Sequence, residues 1–266
     1  MTNKMLQGFF KGDAQNNEVR IYAGPCSIES KEQFEQVAEC IKSLNLSWIR
    51  GGAFKPRTNP HAFQGLGEPA LEIMAATAQR YGLKSISEVL DASQIELIDS
   101  YVDAFQIGTR NMSNFSLLKA LGKHTSSTLK PILFKRGMAA TIAEWLTASE
   151  YISYEGNHNI VLCERGIRTF ETSTRFTLDI SAVPVVHRLS VYPICVDVSH
   201  PAGQADYVFA LARAALAAGA DSLMIEVHPN PGEAKSDSLQ QLSLEQFKHL
   251  IEELRIIAHA MGKQLV

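Results

Sequence analysis

Eight short apolar runs of β-forming residues, each followed by a longer polar or helical stretch, constrain this chain more than any other feature of its sequence. The runs cover residues 20–24, 47–53, 84–89, 104–108, 131–135, 160–164, 194–198 and 222–227. Apolar residues at helical spacing occupy 30–44, 69–81, 92–100, 115–121, 141–154, 204–218 and 244–260. Alternation of this kind predicts a parallel sheet joined by crossover helices. Ser30 with Gln33, Asp91, Gly82 and Gly219 supply matching helix-end signals. Eight units in 266 residues favour an α/β fold of the (β/α)8 TIM-barrel class, which takes ~250 residues. A doubly wound open sheet gives the same alternation and stands as the alternative.

The predicted organisation is an N-terminal extension, residues 1–19, before a single barrel over 20–266, with no room for a fused regulatory domain. Residues 1–17 contain Phe9 and Phe10 but also Lys4, Lys11 and Asp13, so no apolar signal core forms, and no apolar run reaches ~18 residues. Cys26, Cys40, Cys163 and Cys195 are scattered without a C-x-x-C pair, the pattern of reduced thiols in a cytoplasmic protein. A net charge of −3 supplies no basic field for nucleic acid or an anionic membrane. Positive charge must therefore act locally.

In a barrel, the loops after the strands converge on one mouth, where active sites sit. The strand ends deliver Cys26, Ser27 and Glu29; Arg50, Lys55, Arg57 and Thr58; Glu88; Arg110; Lys135 and Arg136; Glu164 and Arg165; Asp197 and His200; and Glu226 and His228. Any one of these has a bland reading as a solvated loop charge. Arg50, Lys55, Arg57, Arg110, Lys135 and Arg165 together would repel one another unless anions sat among them. Arginine forks suit phosphate and carboxylate, whereas lysine adds a mobile charge able to deliver a proton. No Walker or dinucleotide glycine fingerprint is present, which argues against nucleotides.

Cys26, His200, Glu226 and Asp237 form a second set. A thiolate, an imidazole and two carboxylates can surround a divalent ion such as Mn²⁺, Co²⁺, Fe²⁺ or Zn²⁺. Their long spacing equally fits a buried structural cysteine and an ordinary loop histidine.

Several motifs stand at these strand ends: Ala23-Gly-Pro-Cys-Ser-Ile-Glu29, Arg50-Gly-Gly-Ala-Phe-Lys-Pro-Arg-Thr58, Gln106-Ile-Gly-Thr-Arg-Asn-Met112, Lys135-Arg-Gly-Met138, Cys163-Glu-Arg-Gly166, Asp197-Val-Ser-His200 and Met224-Ile-Glu-Val-His-Pro-Asn-Pro231. Over roughly residues 20–260 they resemble 3-deoxy-D-arabino-heptulosonate 7-phosphate (DAHP) synthases of the compact type I beta group. The resemblance implies condensation of phosphoenolpyruvate with D-erythrose 4-phosphate, the first step of the shikimate pathway. Arg50, Lys55, Arg110, Lys135 and Arg165 then match the phosphoenolpyruvate site, and Arg57 with Thr58 the sugar phosphate site. Cys26, His200, Glu226 and Asp237 match the family's metal ligands, with Mn²⁺ the first choice and Co²⁺, Fe²⁺ or Zn²⁺ the alternatives. Lys55, Glu88 and His200 are the catalytic candidates: Lys55 as proton donor or charged clamp, Glu88 to orient the attacking water. A homotetramer or homodimer is implied by analogy.

The related 3-deoxy-D-manno-octulosonate 8-phosphate synthases, which use arabinose 5-phosphate, usually carry Lys-Ala-Asn-Arg-Ser where this chain has Lys55-Pro-Arg-Thr58. That segment favours the shorter sugar. A non-catalytic barrel binding a phosphorylated metabolite would need the basic cluster but not the metal set. Three places depart from the usual family pattern: Val198 with Pro201-Ala202-Gly203, Ser238-Leu239-Gln240-Gln241 after Asp237, and Thr109. All flank proposed site residues, so loop geometry, metal preference and rate are where differences are expected.

Overall fold

The structure, a computed structural model, describes residues 17–57 and 59–266. Eight parallel strands close on themselves: β1 (Glu18–Gly24), β2 (Trp48–Arg50), β3 (Lys84–Val89), β4 (Ala104–Ile107), β5 (Ile132–Lys135), β6 (Ile160–Glu164), β7 (Ile194–Asp197) and β8 (Ser222–Glu226). Each pairs with the next, and β1 pairs with both β2 and β8, which closes the ring and selects the barrel over the open sheet. The crossovers are α1 (Lys31–Ser43), α2 (Glu68–Tyr81), α3 (Ile95–Asp99), α4 (Phe115–His124), α5 (Ile142–Ser153), α6 (Ala182–Leu189), α7 (Ser199–Ala202), α8 (Ala205–Ala217) and α9 (Leu244–Ala260). A short β9 (Gln264–Leu265) pairs with the start of β1 through Glu18 and Val19.

Local chemistry explains the element ends. Ser30 accepts from the Gln33 N–H, and Thr141 with Glu144 and Ser243 with Gln246 make reciprocal capping boxes, each cap worth about 1 kcal/mol. Gly82 closes α2 in the left-handed conformation, φ 63°. The sequence reading misses α6. Its Pro184 lies in the first turn after Ser181, where the absent N–H is not needed.

The pleat sorts side chains into two cores. Tyr22, Trp48, Ile86, Ala104, Leu133, Val161, Cys163, Cys195 and Met224 fill the barrel interior. Their strand neighbours, including Ile21, Ile49, Phe105, Phe134, Leu162, Val196 and Ile225, face the helices. The Trp145 indole of α5 is fully buried in this outer layer and donates to Phe134 O at 3.2 Å. Two residues beyond the last interior residue of each strand from β2 to β8, the same inward period reaches the mouth. Arg50, Glu88, Gln106, Lys135, Arg165, Asp197 and Glu226 stand there, directly above the apolar floor.

Candidate active site

Above that floor lies a cleft of about 410 Å³ whose lining includes Arg50, Lys55, Arg57, Arg110, Lys135 and Arg165, all six cations singled out in the sequence, together with Glu88, His200 and Asp237. Thr58 lies outside the described residues. Arg168 and Arg175, on the loop after β6, also line the cleft and escaped the sequence reading. The rule that found the others, that loops after strands converge on the mouth, applies to this loop too.

Arg136 and Glu164 do not join the cleft. They stand one residue out of phase with Lys135 and Arg165, so the pleat turns them outward, where Arg136 Nη1 pairs with Glu164 Oε2 and Asp179 Oδ2 at 2.8 Å each. His228 also lies off the cleft lining, with Nε2 3.8 Å from Glu29 Oε2.

The deepest cations are Arg50, Lys135 and Arg165, at 3%, 3% and 4% exposure. Lys135 Nζ meets Asp197 Oδ2 at 2.7 Å. Arg50 Nη1 donates to Pro25 O at 2.7 Å and to Glu226 Oε1 at 3.1 Å, but its Nε has no partner among the described residues. The Arg165 guanidinium lies 4.0 Å from the centroid of the Phe176 ring and leaves Nε and Nη1 unpaired among the described residues. Desolvation lowers its pKa from the ordinary arginine value. Buried guanidinium donors without acceptors are costly, and an anionic ligand supplies what they lack. Glu88 is held at the same level, accepting from Gln106 Nε2 at 3.1 Å. Gly108 opposite has no side chain to displace it: a Cβ there would meet Glu88 Oε1 at 1.9 Å.

Beside the cations, Cys26, Glu226 and Asp237 offer ligand atoms all within 4.8 Å of one another. His200 Nε2 comes to 3.7 Å from Glu226 Oε1 and 3.9 Å from Asp237 Oδ2, while Cys26 Sγ is 3.4 Å from Asp237 Oδ2. Lys55 Nζ donates to both the carbonyl oxygen and the sulfur of Cys26 at 3.0 Å. The four residues therefore converge. Asp237 reaches its place with φ +48°, a left-handed conformation that aspartate tolerates better than most residues.

The electrostatics suit a cation. Burial, with the Glu226 charge adding to it, pushes the Cys26 thiol up to about 12, and a divalent ion is the agent that deprotonates such a thiol. Burial pulls the His200 imidazole below its ordinary pKa against the opposing Asp197 and Glu226 charges. His200 Nδ1 approaches Asp197 Oδ2 at 2.7 Å, off line for a hydrogen bond, which favours the proton on Nδ1 and a lone pair on Nε2. Burial would raise Asp197, but His200 and Lys135 hold it well below the usual carboxylate range.

Two of the departures from the family pattern, Gln240 and Gln241, support the site. Gln240 Nε2 donates to Glu226 Oε2 at 2.6 Å, and Gln241 accepts from the Cys26 N–H at 3.0 Å while donating to Ser236 O at 2.9 Å. Val198 is buried in the outer core, and Leu239 points to solvent.

Among known proteins, the model of the DAHP synthetase I family matches residues 4–260. The chain is 47% identical over 247 residues to a phospho-2-dehydro-3-deoxyheptonate aldolase of Thermotoga maritima, covering 93% of this chain and 72% of that protein. A crystal structure of the Thermotoga maritima DAHP synthase superposes with a TM-score of 0.90 at 45% identity, over 94% of this chain and 72% of that one. A 2-dehydro-3-deoxyphosphooctonate aldolase of Syntrophotalea carbinolica is 30% identical over 260 residues, 91% of each chain. With the family model matching nearly the whole chain, and the barrel and its cleft in place, this protein belongs to the DAHP synthetase I family.

Proposed function

We propose that this barrel is a 3-deoxy-7-phosphoheptulonate synthase, a metal-dependent aldol-type transferase that condenses phosphoenolpyruvate with D-erythrose 4-phosphate and water to give DAHP and phosphate. The observation that carries the reading is one cleft holding unpaired buried guanidinium donors on Arg50 and Arg165 next to the converging Cys26, His200, Glu226 and Asp237. Phosphorylated, carboxylated substrates need the first feature, and activation of an aldehyde uses the second. The higher identity to a deoxyheptonate than to a deoxyoctonate aldolase, 47% against 30%, supports the four-carbon sugar.

In this reading Arg50, Lys135 and Arg165 bind the phosphate and carboxylate of phosphoenolpyruvate, with Lys55 and Arg110 completing the site. Arg57 and Thr58 take the sugar phosphate. Fixed donors in a site shielded from water stabilise charge as it moves during the reaction. C3 of phosphoenolpyruvate bonds to the aldehyde carbon, water oxygen adds at C2, and the C2–O bond to phosphate breaks. The aldehyde oxygen must gain a proton, and Lys55 Nζ, 3.0 Å from Cys26 Sγ, is the donor placed beside the ligand set. Glu88, anchored by Gln106, orients the attacking water. Cys26, His200, Glu226 and Asp237 would hold a divalent ion, Mn²⁺ first, whose contribution is Lewis-acid polarisation of the aldehyde. His200 thus serves both binding and catalysis.

No helix among the described residues is long and apolar enough to cross a membrane. Four free thiols support a cytoplasmic setting, and the proposal includes a homotetramer or homodimer.

Phosphate release measured with each sugar, in defined metals and in chelator, tests the reading. Metal-dependent turnover with erythrose 4-phosphate is expected. Preference for arabinose 5-phosphate would reassign the protein to octulosonate synthesis, and binding without turnover would sink the synthase proposal.

A further inference from the structure

The loop after β6 turns back to the cleft and carries Arg168 and Arg175, to which the condensation assigns no task. Ile167 and Thr177 form an antiparallel bridge with reciprocal backbone hydrogen bonds of 2.9 and 3.0 Å. Phe176 at its base is packed so closely that a Cβ on Gly166 would lie 2.7 Å from the Phe176 Cβ. Its ring holds Arg165 at 4.0 Å and Arg175 at 5.9 Å. Gly203, at φ +69°, leaves room for Arg175, since a Cβ there would lie 2.6 Å from the Arg175 Cβ.

So pinned, Arg175 brings Nη1 to 3.2 Å from Asp237 Oδ1 and donates to Gln240 Oε1 at 2.7 Å. Gln240, itself buried, donates Nε2 to Glu226 Oε2 at 2.6 Å. The other oxygens, Asp237 Oδ2 and Glu226 Oε1, are the ones turned toward His200 at 3.9 and 3.7 Å. One guanidinium thereby restrains the outer oxygens of both carboxylates, directly in one case and through an amide in the other.

We propose that Arg175 is a positioning residue for the cation site, fixing Asp237 directly and Glu226 through Gln240 so that their inner oxygens face Cys26 and His200. The inference rests on the reading of those four residues as metal ligands. Partners of this kind hold ligands in the binding geometry before the ion arrives, and their loss costs roughly 10–100-fold in metal affinity. Simple electrostatics has the opposite sign. A positive charge beside a ligand carboxylate repels a divalent ion, so by Coulomb interaction alone its removal would tighten binding.

The test titrates the chelator-stripped full chain with Co²⁺ and follows the charge-transfer absorption of the Cys26 thiolate. Arg175→Met keeps the aliphatic stem against Phe176 and removes the polar head. At 38% side-chain exposure the substitution should leave the unfolding temperature of the metal-free protein unchanged. The expected result is Co²⁺ binding weakened about tenfold, with a similar loss in Gln240→Ala and a double variant less impaired than the product of the two. Binding as tight as wild type or tighter in R175M, or strictly multiplicative losses in the double variant, would overturn the proposal. A wild-type protein with no thiolate band would instead remove the metal-ligand reading beneath it.

Discussion

Gly108→Ala isolates the placement of Glu88 without altering any polar group of the cleft. The backbone at Gly108, φ −72° and ψ 159°, is open to alanine, so no conformational strain accompanies the change. The new Cβ would lie 1.9 Å from Glu88 Oε1 and 2.7 Å from its Cδ. To reach ordinary contact the carboxylate must retreat by about 1.5 Å, breaking the 3.1 Å hydrogen bond from Gln106. Losing that charge-assisted bond costs about 2 kcal/mol, which lowers Tm by roughly 4 °C in a chain of this length. Displacement of a reacting group by about 1 Å is worth on the order of 10²-fold in rate. Phosphate release at saturating substrates should therefore show kcat down about 10²-fold, with both KM values little changed. In a Glu88→Ala background the same glycine substitution should be nearly silent, because the atom it strikes is gone. Equal losses in the two backgrounds, or full activity of G108A, would refute the reasoning that Glu88 works from its present position.

Arg165→Lys removes the fork and its stacking on Phe176, so the KM for phosphoenolpyruvate should rise about 10- to 100-fold, while that for erythrose 4-phosphate stays nearly constant in steady-state kinetics. Chelation should abolish phosphate release, Mn²⁺ should restore it, and Cys26→Ser should demand at least about tenfold more metal for half-maximal rate; full activity of C26S at wild-type metal concentration would count against a thiolate ligand. Far from the cleft, burial would raise the pKa of Asp99, but Lys130 Nζ and His124 Nε2, 2.6 and 3.2 Å from its carboxylate oxygens, hold it below the usual carboxylate value. A depressed carboxylate stabilises the fold above its unfolded pKa near 4 and loses that contribution as pH falls through the folded value. Thermal unfolding of Asp99→Asn should accordingly show a shallower fall in Tm between about pH 5 and 3 than wild type.

How much was legible follows from which signals are periodic. All eight barrel strands were readable because their outward residues pack under helices and give near-continuous apolar runs. Residues 47–53 shortened to Trp48–Arg50 because Gly51 and Gly52 follow, and Gly52 bridges to Ser27 outside the ladder. The cation cluster was readable because strand ends fall at predictable places. Arg168, Arg175 and Phe176 lie in a loop to which the same rule applies, but where along it the chain returns to the cleft is set by packing against Gly166, Pro201 and Gly203, positions far apart in sequence. Gln240 and Gln241 likewise looked like departures until their hydrogen bonds tied them to Glu226 and Cys26.

Lys135 and Arg136, and again Glu164 and Arg165, are neighbours in sequence assigned to opposite faces of the barrel wall. Deleting a single residue from β5 would exchange the faces of the first pair, placing Arg136 in the cleft and driving the Lys135 ammonium into the apolar layer beneath the helices, where Phe134 stands. The alternation of the barrel wall is thus part of what builds the cleft. A chain could keep every charged side chain named above and still lose both the cationic lining of its cleft and its outer ion pair through a shift of one position.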